Sequence, residues 1–126
     1  MVISFYAGIF ALFYVGLSFY VIRGRFQNRV SIGDGGNDLM NRRIRIHANF
    51  IEYVPLALIL IFFVEVADVS EWFVHLLLLT LLLGRILHPV GTITKEAPGI
   101  FRMVGMIMTF FVIIIAALIN IFVFLF

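Results

Sequence analysis

The chain has 126 residues, 63% of them hydrophobic and 13% charged, where a soluble domain is about half apolar and about a quarter charged, so a water-soluble fold of this size has too little interior to hide its apolar surface. No cysteine is present, which excludes disulfides, thiolate metal sites and a cysteine nucleophile. A formal charge of +2 is too slight for a nucleic-acid binder and suits a membrane protein with basic inner loops.

About 20 helical residues cross the hydrocarbon core of a bilayer, and a backbone in lipid must satisfy its own hydrogen bonds. The pattern predicts an all-α integral membrane protein, a four-transmembrane-helix bundle with helices over about 2–22, 38–66, 71–88 and 101–126, in one domain spanning residues 1–126. Residues 2–22 carry no charge. They lack a basic leader and a small-residue cleavage site, so the segment is expected to be retained as a span. Residues 23–37 hold Gly24, Gly33, Gly35, Gly36, Asp34 and three arginines and read as a solvated loop, with GDGG a turn. Residues 54–64 are uncharged but too short to cross alone. They become long enough only if the helix starts near Asp38 or Asn41 and carries the polar stretch RRIRIHANFIEY (42–53) with it. Residues 72–84 likewise need 85–88 to finish a crossing, and Pro89 is expected to end that helix. Pro89, Gly91, Pro98 and Gly99 break the next connection. The last span, 103–126, is uncharged and closes the sequence.

The cations fall on one side. Arg23, Arg25, Arg29, Arg42, Arg43 and Arg45 flank the first connection, Arg85, Lys95 and Arg102 flank the third, and the second has none. The positive-inside rule puts that end in the cytoplasm and both termini on the opposite side.

The opening of helix 2 carries the chemistry. At about 100° per residue, Arg42, Arg45, Asn49 and Glu52 share an arc of about 80°, with Tyr53 beside it and Arg43 and His47 on another flank. Ionisable groups at membrane depth are costly unless paired or wet, and are functional candidates for that reason. Arg43 is expected only to snorkel to the phosphate level. Glu52 lies too deep for that and is expected to pair with an arginine on a neighbouring helix. The bland alternative for Asn49 and Glu52 is a hydrogen bond that glues helices together. Pro55 frees the carbonyl of Ile51 and favours a kink beside them. Arg85 and His88 stand three apart near the end of helix 3, although His88 could equally be an idle interfacial histidine. Arg102 opens helix 4, with Thr109 beneath it. Cations from three helices thus aim at one level, where they suit an anionic, peptide-sized or phosphate-like guest. His47, His75 and His88 are too scattered for a metal site, and none is expected.

The run Arg43–Tyr53, with Arg42, Arg45, His47, Asn49 and Glu52 in the pattern R-x-x-R-A-H-x-N-x-x-E, resembles the helix 2 signature of the MAPEG family, the membrane-associated proteins in eicosanoid and glutathione metabolism. Gly84–His88 (GRILH) is similar to the end of that family's helix 3, and Arg102 with the residues after it to the start of helix 4 in bacterial members. The resemblance implies a homotrimer in a bacterial inner membrane that binds glutathione as co-substrate between subunits near the cytoplasmic face. It implies that Arg45, Asn49 and Glu52 contact the tripeptide, with Glu52 holding its amino end. Tyr53 lies beside them, while Arg42, Arg85 and His88 serve its carboxylates or positioning and Arg102 steadies the thiolate. Thr92 and Met106 stand where eicosanoid-type members tend to have tyrosines.

The expected activity is therefore that of a membrane-bound glutathione transferase or peroxidase acting on hydrophobic small molecules, with lipid and further copies of the chain as its other partners. Two rivals remain: a non-catalytic scaffold or lipid binder that uses the same basic face, and a small multidrug exporter. The exporter is disfavoured because such proteins carry their carboxylate in helix 1, which here has none.

Overall fold

A computed structural model describes residues 1–94 and 99–126. They form four helices: α1 (Val2–Asn28), α2 (Asp38–Val66), α3 (Glu71–Ile93) and α4 (Ile100–Leu125). All four are long and apolar enough to cross a membrane. The expectations for Lys95 and Pro98 lie outside the described residues.

α2 is the hub and packs on all three other helices, whereas α1 and α4 do not meet among the described residues. Neighbours run antiparallel. The Glu65 carboxylate, near the end of α2, accepts the backbone N–H groups of Val2 and Ile3, the latter at 3.0 Å. It thereby occupies donors that the first turn of a helix leaves free. Tyr6 Oη lies 3.1 Å from His75 Nδ1 of α3. The start of α1, the end of α2 and the start of α3 therefore share one end. The cation-rich connections share the other, called here the basic end.

Phe10, Phe50, Val54, Ala57, Ile61, Leu78, Leu81, Val112 and Ala116 fill the interior. Large apolar side chains also cover the outside, Leu12, Phe19, Trp72, Leu118 and Phe124 among them. Such an outward apolar surface suits lipid and not water.

α3 and α4 meet through glycines. A methyl group on Gly84 would lie 2.9 Å from the Gly105 carbonyl oxygen. Small residues let membrane helices approach this closely. The crossing sets Arg85 and His88 opposite the first turns of α4.

Three elements differ from expectation. α3 does not stop at His88 but continues through Pro89 to Ile93. A proline removes one N–H and crowds the preceding turn, yet this last turn has other support. Thr92 Oγ1 donates to the His88 carbonyl at 2.7 Å. The Arg42 guanidinium donates to the Thr92 and Thr94 carbonyls at 3.1 and 2.9 Å, and a cation at a helix C-terminus also suits the dipole. α1 runs past Ile22 to Asn28, because the polar start of α2 rises beside it and supplies packing. Gly24 is buried there against Met40 and Arg43. α1 ends at Arg29, which takes a left-handed conformation with φ 54°. The chain then turns through Gly33, Gly35 and Gly36, all at positive φ, where glycine pays no Cβ penalty. α2 starts from Asn37, whose Oδ1 accepts the Met40 N–H at 2.9 Å as an N-cap. The third difference is the partner of Glu52, described with the site below.

Candidate functional site

At the basic end, α2, α3 and α4 surround an open cleft of about 750 Å³. The polar start of α2 lines one wall with Arg42, Arg45 and Asn49, as their shared helical arc dictates. The prolonged end of α3 contributes His88, Gly91 and Thr92, and the first turns of α4 contribute Arg102, Met103 and Met106. Asp38, Asn41, Thr94 and Gly99 complete the lining. The sole carboxylate in this lining, Asp38, is already held by Arg42 Nε at 3.0 Å. Three guanidinium groups thus face a cleft with little negative charge, and such a field concentrates anions.

Of the residues predicted for the site, Arg42, Arg45, Asn49, His88 and Arg102 line the cleft, whereas Glu52, Tyr53 and Arg85 do not. Arg42 is half committed to structure, since its guanidinium ties Asp38 to the last turn of α3. Glu52 does not pair with an arginine of a neighbouring helix. Its carboxylate faces Arg45 NH1 on α2 itself at 3.9 Å, and both side chains are about half exposed. The spacing of seven residues, two turns, stacks the pair along one face, and both side chains are long enough to meet. Tyr53 sets its ring edge-on against Phe110 of α4, with centroids 5.4 Å apart.

Arg85 lies behind the cleft, 1% exposed. It donates to Asn49 Oδ1 at 2.7 Å and reaches the Gly105 carbonyl and Met106 Sδ, each at 3.4 Å. Thr109, expected beneath Arg102, is buried and donates to the Gly105 carbonyl at 2.8 Å. Its hydroxyl therefore serves the helix and not the cleft.

Arg43 departs from the snorkelling expected of it. It donates to the Tyr20 carbonyl and Gln27 Oε1 and stands 4.3 Å over the Tyr20 ring, so it fastens α2 to α1. His47 also turns to α1, with Nε2 3.0 Å from Ser18 Oγ and its ring stacked on Tyr14. The three histidines accordingly occupy three places: the α1–α2 interface, the opposite end of the bundle and the cleft.

Sequence reasoning missed Asp38, Asn41, Gly91, Gly99 and Met103 as lining residues. Asp38 carried a signal in its spacing of four before Arg42, the separation of helical ion pairs. Gly91 and Gly99 carried none, because their role comes from the close approach of α3 and α4 there.

Comparison with known proteins bears on the same residues. The sequence profile of the MAPEG family matches residues 3–122. The chain is 43% identical over 91 residues to the inner membrane protein YecN of Escherichia coli strain K12, an alignment covering 72% of this chain and 70% of that protein. The inner membrane protein YecN of Escherichia coli O6:H1 strain CFT073 matches to the same extent. No solved structure matches significantly.

Proposed function

Because this chain belongs to the MAPEG family, we propose that its cleft binds glutathione and directs the thiolate at hydrophobic electrophiles, as a transferase or peroxidase. The observation that carries this reading is the trio Arg42, Arg45 and Arg102 around one open cleft whose sole lining carboxylate is already engaged. Glutathione offers two carboxylates and an ammonium group, and guanidinium forks suit carboxylates. In this reading Arg45 and Asn49 contact the tripeptide, Glu52 takes its amino end, and His88 and Arg42 serve its carboxylates. Arg102 lies beside the sulfur. A free thiol titrates near 8.5, and an adjacent cation shifts it toward the nucleophilic thiolate. Met103 and Met106 give that part of the cleft an apolar wall for a lipophilic acceptor.

A homotrimer belongs to the same proposal. The Arg45–Glu52 pair lies half exposed on the flank of a single copy, a costly arrangement in a bilayer. A second copy against that flank would cover the pair and bring Glu52 and Tyr53 to a guest held between subunits. Four spans and a relative named as an inner membrane protein support a multi-pass protein of the inner membrane. The cation distribution supports a cytoplasmic basic end with both termini outside.

Calorimetric titration of glutathione into the protein in lipid nanodiscs tests the reading. Binding that weakens sharply in Arg45→Ala and Glu52→Ala is expected. No binding at millimolar ligand, or binding indifferent to both changes, overturns it.

One observation favours a second reading. The cation-lined cleft opens beside the exposed apolar side chains of Ile100, Phe101 and Met103, which fits a lipid phosphate with its acyl chain alongside. Mass spectrometry of the purified protein would then find a stoichiometric anionic lipid that glutathione does not displace.

A further inference from the structure

The group behind the cleft decides what the cleft can read. Arg85 is the largest fully buried side chain of the described residues. Its Nε has no hydrogen-bond partner, and among the described residues no carboxylate pairs with it. It cannot swing out to a ligand, because its other amino group reaches the Gly105 carbonyl and Met106 Sδ. The Gly84–Gly105 crossing also leaves its helix no room to shift. Its short contact, 2.7 Å, is to Asn49, and Asn49 lines the cleft.

An asparagine amide has an acceptor end and a donor end, and they look alike until a neighbour distinguishes them. Arginine is a donor only. The atom facing Arg85 must therefore be the amide oxygen, since the reverse would set N–H against N–H. With its oxygen held toward α3, Asn49 turns its NH₂ group the other way, to the cleft. The bond is charge-assisted and so among the stronger ones. A guanidinium on the oxygen also polarises the amide and strengthens its two N–H donors.

We propose that Arg85 is a positioning residue that locks the Asn49 amide with its donors facing the cleft, so that the site takes ligands through carboxylate or carbonyl oxygens and refuses a donor there. This rests on the reading of the cleft as an anion-binding site and deepens it. Arg85 itself touches no guest, and its charge reaches the guest through Asn49. A buried cation without a carboxylate partner is costly, and an anion at the amide would offset part of that cost.

The test uses the full chain in nanodiscs and two measurements. The first is thermal unfolding without ligand. Asn49→Asp supplies Arg85 with a counterion, so its Tm is expected to rise, and to fall when the same change is made together with Arg85→Met. The second is calorimetric titration with glutathione. Asn49→Asp, which puts an acceptor where the donors were, is expected to weaken binding about tenfold or more. Arg85→Met is expected to weaken it comparably in the native background and not at all in an Asn49→Leu background. Arg85→Lys, still a donor, is expected to restore most of it. Additive losses from Arg85→Met and Asn49→Leu would mark a merely structural arginine and overturn the proposal. So would an Asn49→Asp protein that binds like the native one, or one whose Tm falls with Arg85 intact. If the native protein binds no glutathione while the Tm pattern holds, the lock stands and the glutathione reading falls.

Discussion

Gly105 of α4 lies so close to Gly84 of α3 that a methyl group on Gly105 would sit 2.5 Å from the Gly84 carbonyl oxygen. This contact sets the distance between Arg85 and His88 on one side and Arg102 and Met106 on the other. Gly105→Val must push the two helices apart. A cost of about 1–3 kcal/mol is expected, as for overpacking elsewhere, with weaker glutathione binding although no cleft residue has changed. Thermal unfolding and calorimetry on the one variant check both effects.

Arg42 spans the mouth of the cleft from Asp38 to the carbonyls of Thr92 and Thr94. Arg42→Ala is expected to loosen the last turn of α3, with hydrogen exchange rising over residues 90–94 and remaining unchanged in the middle of α3. Charge-assisted hydrogen bonds of this kind contribute about 1.5–3 kcal/mol each. Binding should weaken too, because Arg42 also faces the guest.

Glu65 does its work at the other end. Glu65→Ala frees the N–H groups of Val2 and Ile3, and a loss of about 1 kcal/mol is expected, as for a helix cap. Glutathione affinity should not change, since Glu65 lies at the far end of the bundle from Arg102. A variant that loses stability and keeps its affinity separates the role of this carboxylate from that of Glu52.

Guanidinium groups in an open cleft leave a salt dependence. At about 0.15 M ionic strength, exposed charges are screened beyond about 8 Å. Raising salt from low to physiological concentration is therefore expected to weaken glutathione binding severalfold, and more than it weakens binding of an uncharged thiol. Titrations at several ionic strengths measure the slope.

The long start of α2 was legible because its uncharged core is too short to cross a membrane, and the polar arc of Arg42, Arg45 and Asn49 followed from the helical angle alone. What failed depended on neighbours. Pro89 reads as a stop, and only the Arg42 guanidinium and the Thr92 hydroxyl explain why α3 continues. Arg43 reads as a snorkelling cation, and only the nearness of Tyr20 and Gln27 on α1 turns it inward. Glu52 was read correctly as needing a cation, but its partner lies on its own helix because both side chains bend along the same face. The lock of Arg85 on Asn49 joins residues 36 apart in sequence, and no local pattern reports such a pair.

The central claim is that the arginines of the cleft hold an anionic thiol as its thiolate. Ultraviolet difference absorbance on mixing glutathione with the protein in nanodiscs at neutral pH measures this directly. The account predicts a thiolate signal that saturates with binding and disappears in Arg102→Leu while calorimetry still detects bound tripeptide. Bound glutathione with no thiolate signal, or an Arg102→Leu protein with an undiminished one, would contradict it.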